Sequence, residues 1–179
     1  IGVIDGMPTV GLAPDQIERL STEDGVVKAS LRDVPIAAVK GRGAGTTVAA
    51  TAFLAHRAGI RVFSTGGLGG VHRGAQLTFD ESADLVTLAT LPMVVVSAGV
   101  KSILDIPLTR ERLETLNLAV VGYRTTDYPA FYVADSGLDL EYSADSPDEV
   151  AAMARMRDEL GLRSTLLVAN PVAADRQLD

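Results

Sequence analysis

The sequence predicts an α/β fold: a layered α/β/α domain built on a largely parallel central sheet. Three observations point there. Short β-branched runs alternate with helical patterns along the whole chain, the signature of strands joined by helical connections. Aromatic residues make up only 4% of the chain and tryptophan is absent, so the core rests on Val, Leu, Ile and Ala, which suits a parallel sheet covered by helices. With 179 residues, 47% apolar and 22% charged, the chain is long enough to bury a substantial core, and residues 1–179 are expected to form a single domain.

Taken in order, the chain opens on Ile1–Ile4, which reads as the inside of a buried strand. A helix is expected at Pro14–Leu20, a strand at the β-branched run Ile36–Val39, and a helix at Thr46–Ala58. The apolar run Ile60–Phe63 reads as a strand, followed by a helix at Ser82–Thr90 and a strand at Met93–Ser97. Arg110–Leu116 reads as a helix capped by Thr109, and Ala119–Gly122 as a strand. The helix Pro147–Leu160 carries the clearest start signal: Ser146 as N-cap, Pro147 in the first position and Glu149 closing a capping box. Thr165–Ala169 is the last strand expected, and no repeat, low-complexity tract or linker interrupts the series.

The net charge of −7, from 23 acidic and 16 basic residues, argues against a nucleic-acid partner, because phosphate neutralisation needs a basic surface. A small phosphorylated ligand in a local basic pocket remains compatible with it. Without cysteine the chain has neither disulfides nor thiolate metal sites, which fits a cytoplasmic protein. The longest apolar run, around Leu91–Val100, is too short to span a bilayer, and no charged-then-apolar signal opens the chain. The abrupt start at Ile1, without methionine, reads as that of a fragment.

The chemistry concentrates behind the strand at Ile60–Phe63. Residues 64–74 bring together five glycines, His72 and Arg73. So little side-chain bulk lets backbone N–H groups approach an anion, although tight packing is a competing cause of the glycines. The loop matches neither a dinucleotide fingerprint nor a Walker A motif. Downstream, Asp80, Glu81 and Asp84 crowd three carboxylates into five positions. Asp80 and Asp84 on one helical face would share a magnesium or manganese ion; otherwise they stabilise a helix N-terminus. His72 reads as a phosphate ligand, a general acid or a satisfied polar residue, and His56 as a dipole partner at a helix C-terminus.

Lys101 is the sharpest single candidate, one of three lysines with Lys28 and Lys40. It follows the apolar run Pro92–Val100, where desolvation would favour the neutral amine that attacks a sugar aldehyde to form an imine. The alternatives are a lysine whose stem is buried while its charge stays wet, or a pair with Asp105. The loop at 65–74, the turn Gly99-Val100-Lys101-Ser102 and the pair Asn170-Pro171 each follow a strand and are expected to converge, since ligands sit beyond the carboxyl ends of such sheets.

Several of these segments, in this order, resemble the pseudouridine-5′-phosphate glycosidases, a group that includes the indigoidine synthase A-like proteins. They are Lys28-Ala-Ser-Leu-Arg32-Asp33-Val-Pro35, Gly45-Thr46-Thr47-Val48-Ala49, Thr65-Gly-Gly-Leu-Gly-Gly-Val-His72-Arg73-Gly74, Phe79-Asp80-Glu-Ser82-Ala83-Asp84-Leu85, Ala98-Gly-Val-Lys101-Ser-Ile-Leu-Asp105 and Val168-Ala-Asn170-Pro171. The resemblance spans nearly the whole chain. It implies reversible cleavage of the C–C glycosidic bond of pseudouridine 5′-phosphate to uracil and ribose 5-phosphate. Lys101 is then the nucleophile, and its imine at the first sugar carbon is the electron sink that breaking a carbon–carbon bond requires. By the same resemblance Asp80 holds a metal, with Mn2+ expected and Mg2+ compatible. Lys28, Val48, His72, Ser82, Ala83 and Asp84 bind substrate, Lys28 on the phosphate, and the assembly is a homotrimer. The family's proton-donating glutamate and a C-terminal segment would lie outside residues 1–179, so the domain is expected to be truncated at both ends. The same residues serve two other readings: a C-glycosynthase that attaches ribose 5-phosphate to an aromatic natural-product precursor, and a non-catalytic phosphosugar-binding module.

Overall fold

A computed structural model of the chain describes residues 1–178, and these separate into two compact units, residues 1–60 and the residues from Arg61 onward. The last residue assigned to the expected domain, Asp179, lies outside the described residues.

The first unit runs β1 (Gly2–Ile4), β2 (Met7–Thr9), α1 (Pro14–Thr22), β3 (Val27–Ala29), α2 (Val34–Val39), β4 (Ala44–Thr46) and α3 (Val48–Arg57). Its sheet has the order β2-β1-β4-β3, with β1 antiparallel to both neighbours and β3 parallel to β4. Asp5 and Gly6 close the β1–β2 hairpin at φ of 48° and 80°, the double positive φ of the two-residue turn that matches strand twist. A Cβ on Gly6 would stand 2.6 Å from the Ala38 carbonyl oxygen, so the turn tolerates no larger residue. Val3, Ala29, Val34, Ala37, Ala44 and Ala50 form the core.

Residues 36–39, expected as a strand, belong to helix α2. Pro35 stands in the first turn, where its fixed φ and missing N–H cost nothing, and Val34 and Ala37, three apart, turn inward. The β-branched Ile36 and Val39 are left outside, 54% and 89% exposed. Thr46, expected to open a helix, ends β4 instead, and Thr47 caps α3 by accepting the Ala50 N–H.

The second unit runs β5 (Val62–Ser64), α4 (Ala75–Thr78), α5 (Ala83–Leu88), β6 (Val94–Ser97), α6 (Ile106–Thr115), β7 (Val120–Tyr123), β8 (Ser143–Ala144), α7 (Pro147–Glu159) and β9 (Leu166–Ala169). Its sheet has the order β5-β6-β9-β7-β8 and every pair is parallel. The period-2 alternation of the strands divides the core in two. Val94, Val121, Leu166 and Val168 face Val150, Met153 and Ala154 of α7. Val120 and Ala169 face the other way, into a cluster with Val100, Leu104, Ile106 and Tyr128. This is the layered arrangement that the sequence predicts.

Two helix starts differ from expectation. Helix α6 begins four residues early because Asp105 caps it, its Oδ1 accepting the Leu108 N–H at 3.0 Å. Thr109, expected as the cap, lies inside the helix and donates to the Asp105 carbonyl oxygen. Ser146 caps α7 as expected, but Glu149 reaches back to the N–H of Asp145 rather than that of Ser146.

At the far end of α7 the buried Arg157 donates to the Met93 carbonyl oxygen and to Asp158, whose other carboxylate oxygen receives Arg61 at 2.6 Å. The guanidinium of Arg157, with that of Arg61, holds the Asp158 carboxyl below its ordinary value of 3.8. A depressed carboxyl pKa stabilises the fold above its unfolded value, and that contribution disappears as pH falls through the folded value. Asp158→Asn should therefore lower Tm near neutral pH by about 2–4 °C, an effect of ~1 kcal/mol for a solvent-screened pair. The gap from wild type should narrow as pH falls below the ordinary carboxylate range and close once the folded-state carboxyl is protonated, read from thermal melts as a function of pH.

Candidate active site

Parallel strands end on the same side, and here the segments leaving β5, β6 and β9 continue in contact after the strands stop. Thr65 N–H donates to Val96 O, Ala98 N–H to Gly66 O, Leu68 N–H to Gly99 O and Lys101 N–H to Leu68 O, all between 2.9 and 3.1 Å. Asn170 N–H donates to Ser97 O at 2.8 Å. The glycine loop, the Lys101 turn and the Asn170-Pro171 pair thus meet at the carboxyl edge, as expected of a ligand site in such a sheet.

The glycine loop is a packed element and not an open cradle. A Cβ on Gly67 would meet the Phe131 ring at 2.5 Å, on Gly69 the Asp84 carboxylate at 2.6 Å, and on Gly70 the Thr109 hydroxyl at 2.5 Å. Four of its N–H groups already have protein acceptors: Leu68 on Gly99 O, Gly69 on Asp84 Oδ2, Val71 on Thr109 Oγ1 and His72 on Asp80 O. The close approach that removes side chains here is made by protein, so these four N–H groups are not the anion donors anticipated from the glycine content.

Residues 70–72 pair antiparallel with 80–82: Ser82 N–H donates to Gly70 O, His72 N–H to Asp80 O, and Val71 bridges to Glu81. This pairing places His72 Nδ1 3.8 Å from Asp80 Oδ2, with both side chains facing solvent. Arg112 of α6 braces the same segment through Glu81 at 2.9 Å. Asp80 and Asp84 do not share a helical face. The helix starts only at Ala83, capped by the Ser82 hydroxyl on the Asp84 N–H, which leaves Asp80 outside it. Asp84 is buried, 5% exposed, in the first turn with Oδ2 on the Gly69 N–H. Among the described residues no group of three or more His, Cys, Asp or Glu side chains could hold a metal ion.

Lys101 emerges exposed directly after the fully buried Val100, at the rim anticipated for it. Asp105, the alternative partner considered for it, caps α6. Ser82 and Ala83 are half-buried at the start of α5. Lys28 and Val48 lie in the first unit: Lys28 exposed on β3 opposite Gly45, Val48 half-buried as the first residue of α3. His56 lies in the last turn of α3, where a dipole partner was expected.

Sequence reasoning missed two residues. Thr109 is fully buried, and its one hydroxyl serves both Val71 N–H and Asp105 O. With the Asp105 N–H on Val71 O, it fastens the glycine loop to the first turn of α6. Phe131 sits at φ 69° against the same loop. Neither role has a local signature, since the glycine loop that both residues contact lies tens of residues away in sequence.

Comparison with known proteins gives a consistent result. The family model for indigoidine synthase A-like proteins matches residues 1–179. The chain is 66% identical to a pseudouridine-5′-phosphate glycosidase of Saccharopolyspora erythraea and 55% identical to one of Frankia alni, each over all of this chain. It spans 59% and 50% of the lengths of those two relatives. The crystal structure of the prealnumycin C-glycosynthase in complex with ribulose 5-phosphate superposes with a TM-score of 0.95 at 40% identity, over all of this chain and 59% of that one.

Because the Thr109 hydroxyl is the acceptor for a buried N–H, the isosteric Thr109→Val should cost about 1–3 kcal/mol in chemical denaturation. Thr109→Ser, which keeps the hydroxyl, should retain most of that stability.

Proposed function

This chain belongs to the indigoidine synthase A-like family, and on that premise we propose that it carries the imine-forming site of a pseudouridine-5′-phosphate glycosidase. The reaction is reversible cleavage of the C–C glycosidic bond of pseudouridine 5′-phosphate to uracil and ribose 5-phosphate. The observation that carries the reading is the placement of Lys101. It is the only lysine of the second unit, it stands exposed at the carboxyl edge of an all-parallel sheet, and its own N–H is tied to the glycine loop.

In the bond-forming direction the Lys101 amine adds to the aldehyde carbon of the open-chain sugar phosphate and water leaves, giving a protonated imine. That carbon accepts the electron pair of the uracil ring carbon, and the ring then loses its proton. The amine nitrogen departs as the sugar hydroxyl closes the furanose. Cleavage is the reverse, with the nitrogen lone pair forming C=N as the C–C pair returns to the protonated base. His72, whose backbone is fixed by the 70–72/80–82 pairing, is assigned to hold the phosphosugar or move a proton. Ser82 and Ala83 bind the substrate at the start of α5, and Asp84 acts through the Gly69 N–H it holds. Within the first unit, Lys28 and Val48 are proposed as substrate-binding residues, Lys28 toward a phosphate.

A single exposed carboxylate such as that of Asp80 suits a hard divalent ion that keeps most of its water, manganese or magnesium. When bound, such an ion neutralises negative charge near the phosphosugar. We place the reaction in the cytoplasm, because the phosphorylated nucleoside is charged; no helix among the described residues is long and apolar enough to cross a membrane. The assembled protein is proposed to be a homotrimer, which native mass spectrometry tests directly. The structural likeness to a C-glycosynthase favours one second reading, in which the same imine accepts an aromatic carbon other than that of uracil.

Cyanoborohydride with ribose 5-phosphate should leave a stable pentose-phosphate adduct on Lys101 by peptide mass mapping, absent in Lys101→Ala. Equal labelling of Lys28 and Lys40, or none, would refute the imine. Product formation with a polycyclic aromatic acceptor and not with uracil would select the second reading. Asp80→Asn should raise the Mn2+ concentration needed for half-maximal activity about tenfold or more, whereas an unchanged requirement would remove Asp80 as the metal ligand.

A further inference from the structure

Beside Lys101 stands an aromatic ring that the chemistry so far does not use. Phe131 adopts φ 69°, a left-handed conformation that bulky residues rarely occupy and that concentrates at functional sites. The surrounding backbone enforces it. Phe131 N–H donates to Ala98 O at 2.9 Å, and Ala130 bridges antiparallel to Gly99. The strained turn directs the ring onto the glycine loop, where a Cβ on Gly67 would lie 2.5 Å from Phe131 Cδ2 and 3.1 Å from Lys101 Cγ. A Cβ on Gly66 would lie 3.4 Å from the same ring. The ring and the lysine stem therefore flank one glycine, with the reactive nitrogen three bonds further along that stem. Tyr132 meets the ring edge-to-face at 4.3 Å between centroids, which holds its orientation. Phe131 is only partly buried, unlike the fully buried Tyr128.

We infer that Phe131 is a specificity-determining residue, the platform on which the planar acceptor ring stacks as its carbon approaches the sugar carbon held by Lys101. The inference rests on the imine reading above and adds the acceptor side of the site. An aromatic face accepts any flat ring without reading its hydrogen-bond pattern. The platform thus suits a pyrimidine and larger aromatic acceptors alike.

The test uses the protein as expressed at full length, with Phe131→Leu and Phe131→Tyr. In the synthetic direction with ribose 5-phosphate, Phe131→Leu should raise the KM for uracil about tenfold, the loss expected for one stacked base. Cyanoborohydride trapping on Lys101 should be unaffected, and Phe131→Tyr should behave as wild type on both counts. Independently of turnover, the uracil H5 and H6 resonances should shift upfield on binding wild type and Phe131→Tyr but not Phe131→Leu. An unchanged uracil KM and shift in Phe131→Leu would overturn the proposal. So would loss of trapping in that variant, which would show that the ring only supports Lys101. If wild type itself fails to trap ribose 5-phosphate, the imine reading falls, and the uracil shift alone decides the role of the ring.

Discussion

The second unit depends on a stretch of main chain, Gly66 to His72, that is hydrogen-bonded along both of its edges. One edge engages the turn after β6 through Ala98, Gly99 and Lys101, and the other engages Thr109, Asp84 and the Asp80–Ser82 segment. Side chains pressing in from α5, α6 and Phe131 leave no space for a Cβ at Gly67, Gly69 or Gly70. The glycines are there because protein crowds the loop, and that crowding fixes where the following His72 emerges. A buried N–H without an acceptor is costly, so each partner of the loop is an element whose position the loop in turn determines.

The parallel sheet explains why this constraint falls where it does. Strands β5, β6 and β9 are neighbours and run the same way, so three connections far apart in sequence leave the sheet side by side. The inner strands β6 and β9 are valine- and leucine-rich because they are buried in the sheet, β9 between α7 on one side and the cluster around Val100, Leu104 and Tyr128 on the other. Functional groups are excluded from such strands and collect at their ends. Lys101 shows this sharply: Val100 is fully buried and the next residue carries an exposed amine.

On the proposed reading, an imine on that amine would treat every acceptor alike until the acceptor is positioned. The likeness of this chain both to pseudouridine-5′-phosphate glycosidases and to a C-glycosynthase is understandable on that basis. The sugar side of that chemistry would be shared, and the acceptor would be set by what stands next to the lysine. In this chain a strained aromatic residue stands there. A pyrimidine and an extended aromatic system differ in outline far more than in the π face they present.

Much of this was legible in the sequence, because its causes are local. Alternating β-branched and helical segments determine a layered α/β fold, and the start of α7 at Ser146-Pro147 depends on residues adjacent in the chain. The run ending at Lys101 announces a charged residue at the rim of a buried strand, and the family motifs are contiguous blocks. Strands of two or three residues, such as β2, β3, β4 and β8, carry too few side chains to show a period. At residues 36–39 β-propensity lost to the proline turn and the inward spacing of Val34 and Ala37. Only the tertiary structure decided that the glycines serve packing, that Asp84 lies beneath the loop while Asp80 faces solvent, and that Thr109 and Phe131 belong to the site. Each of those is a contact between segments distant in sequence. Local composition allows such a contact, but only the completed packing of the sheet brings its two halves together.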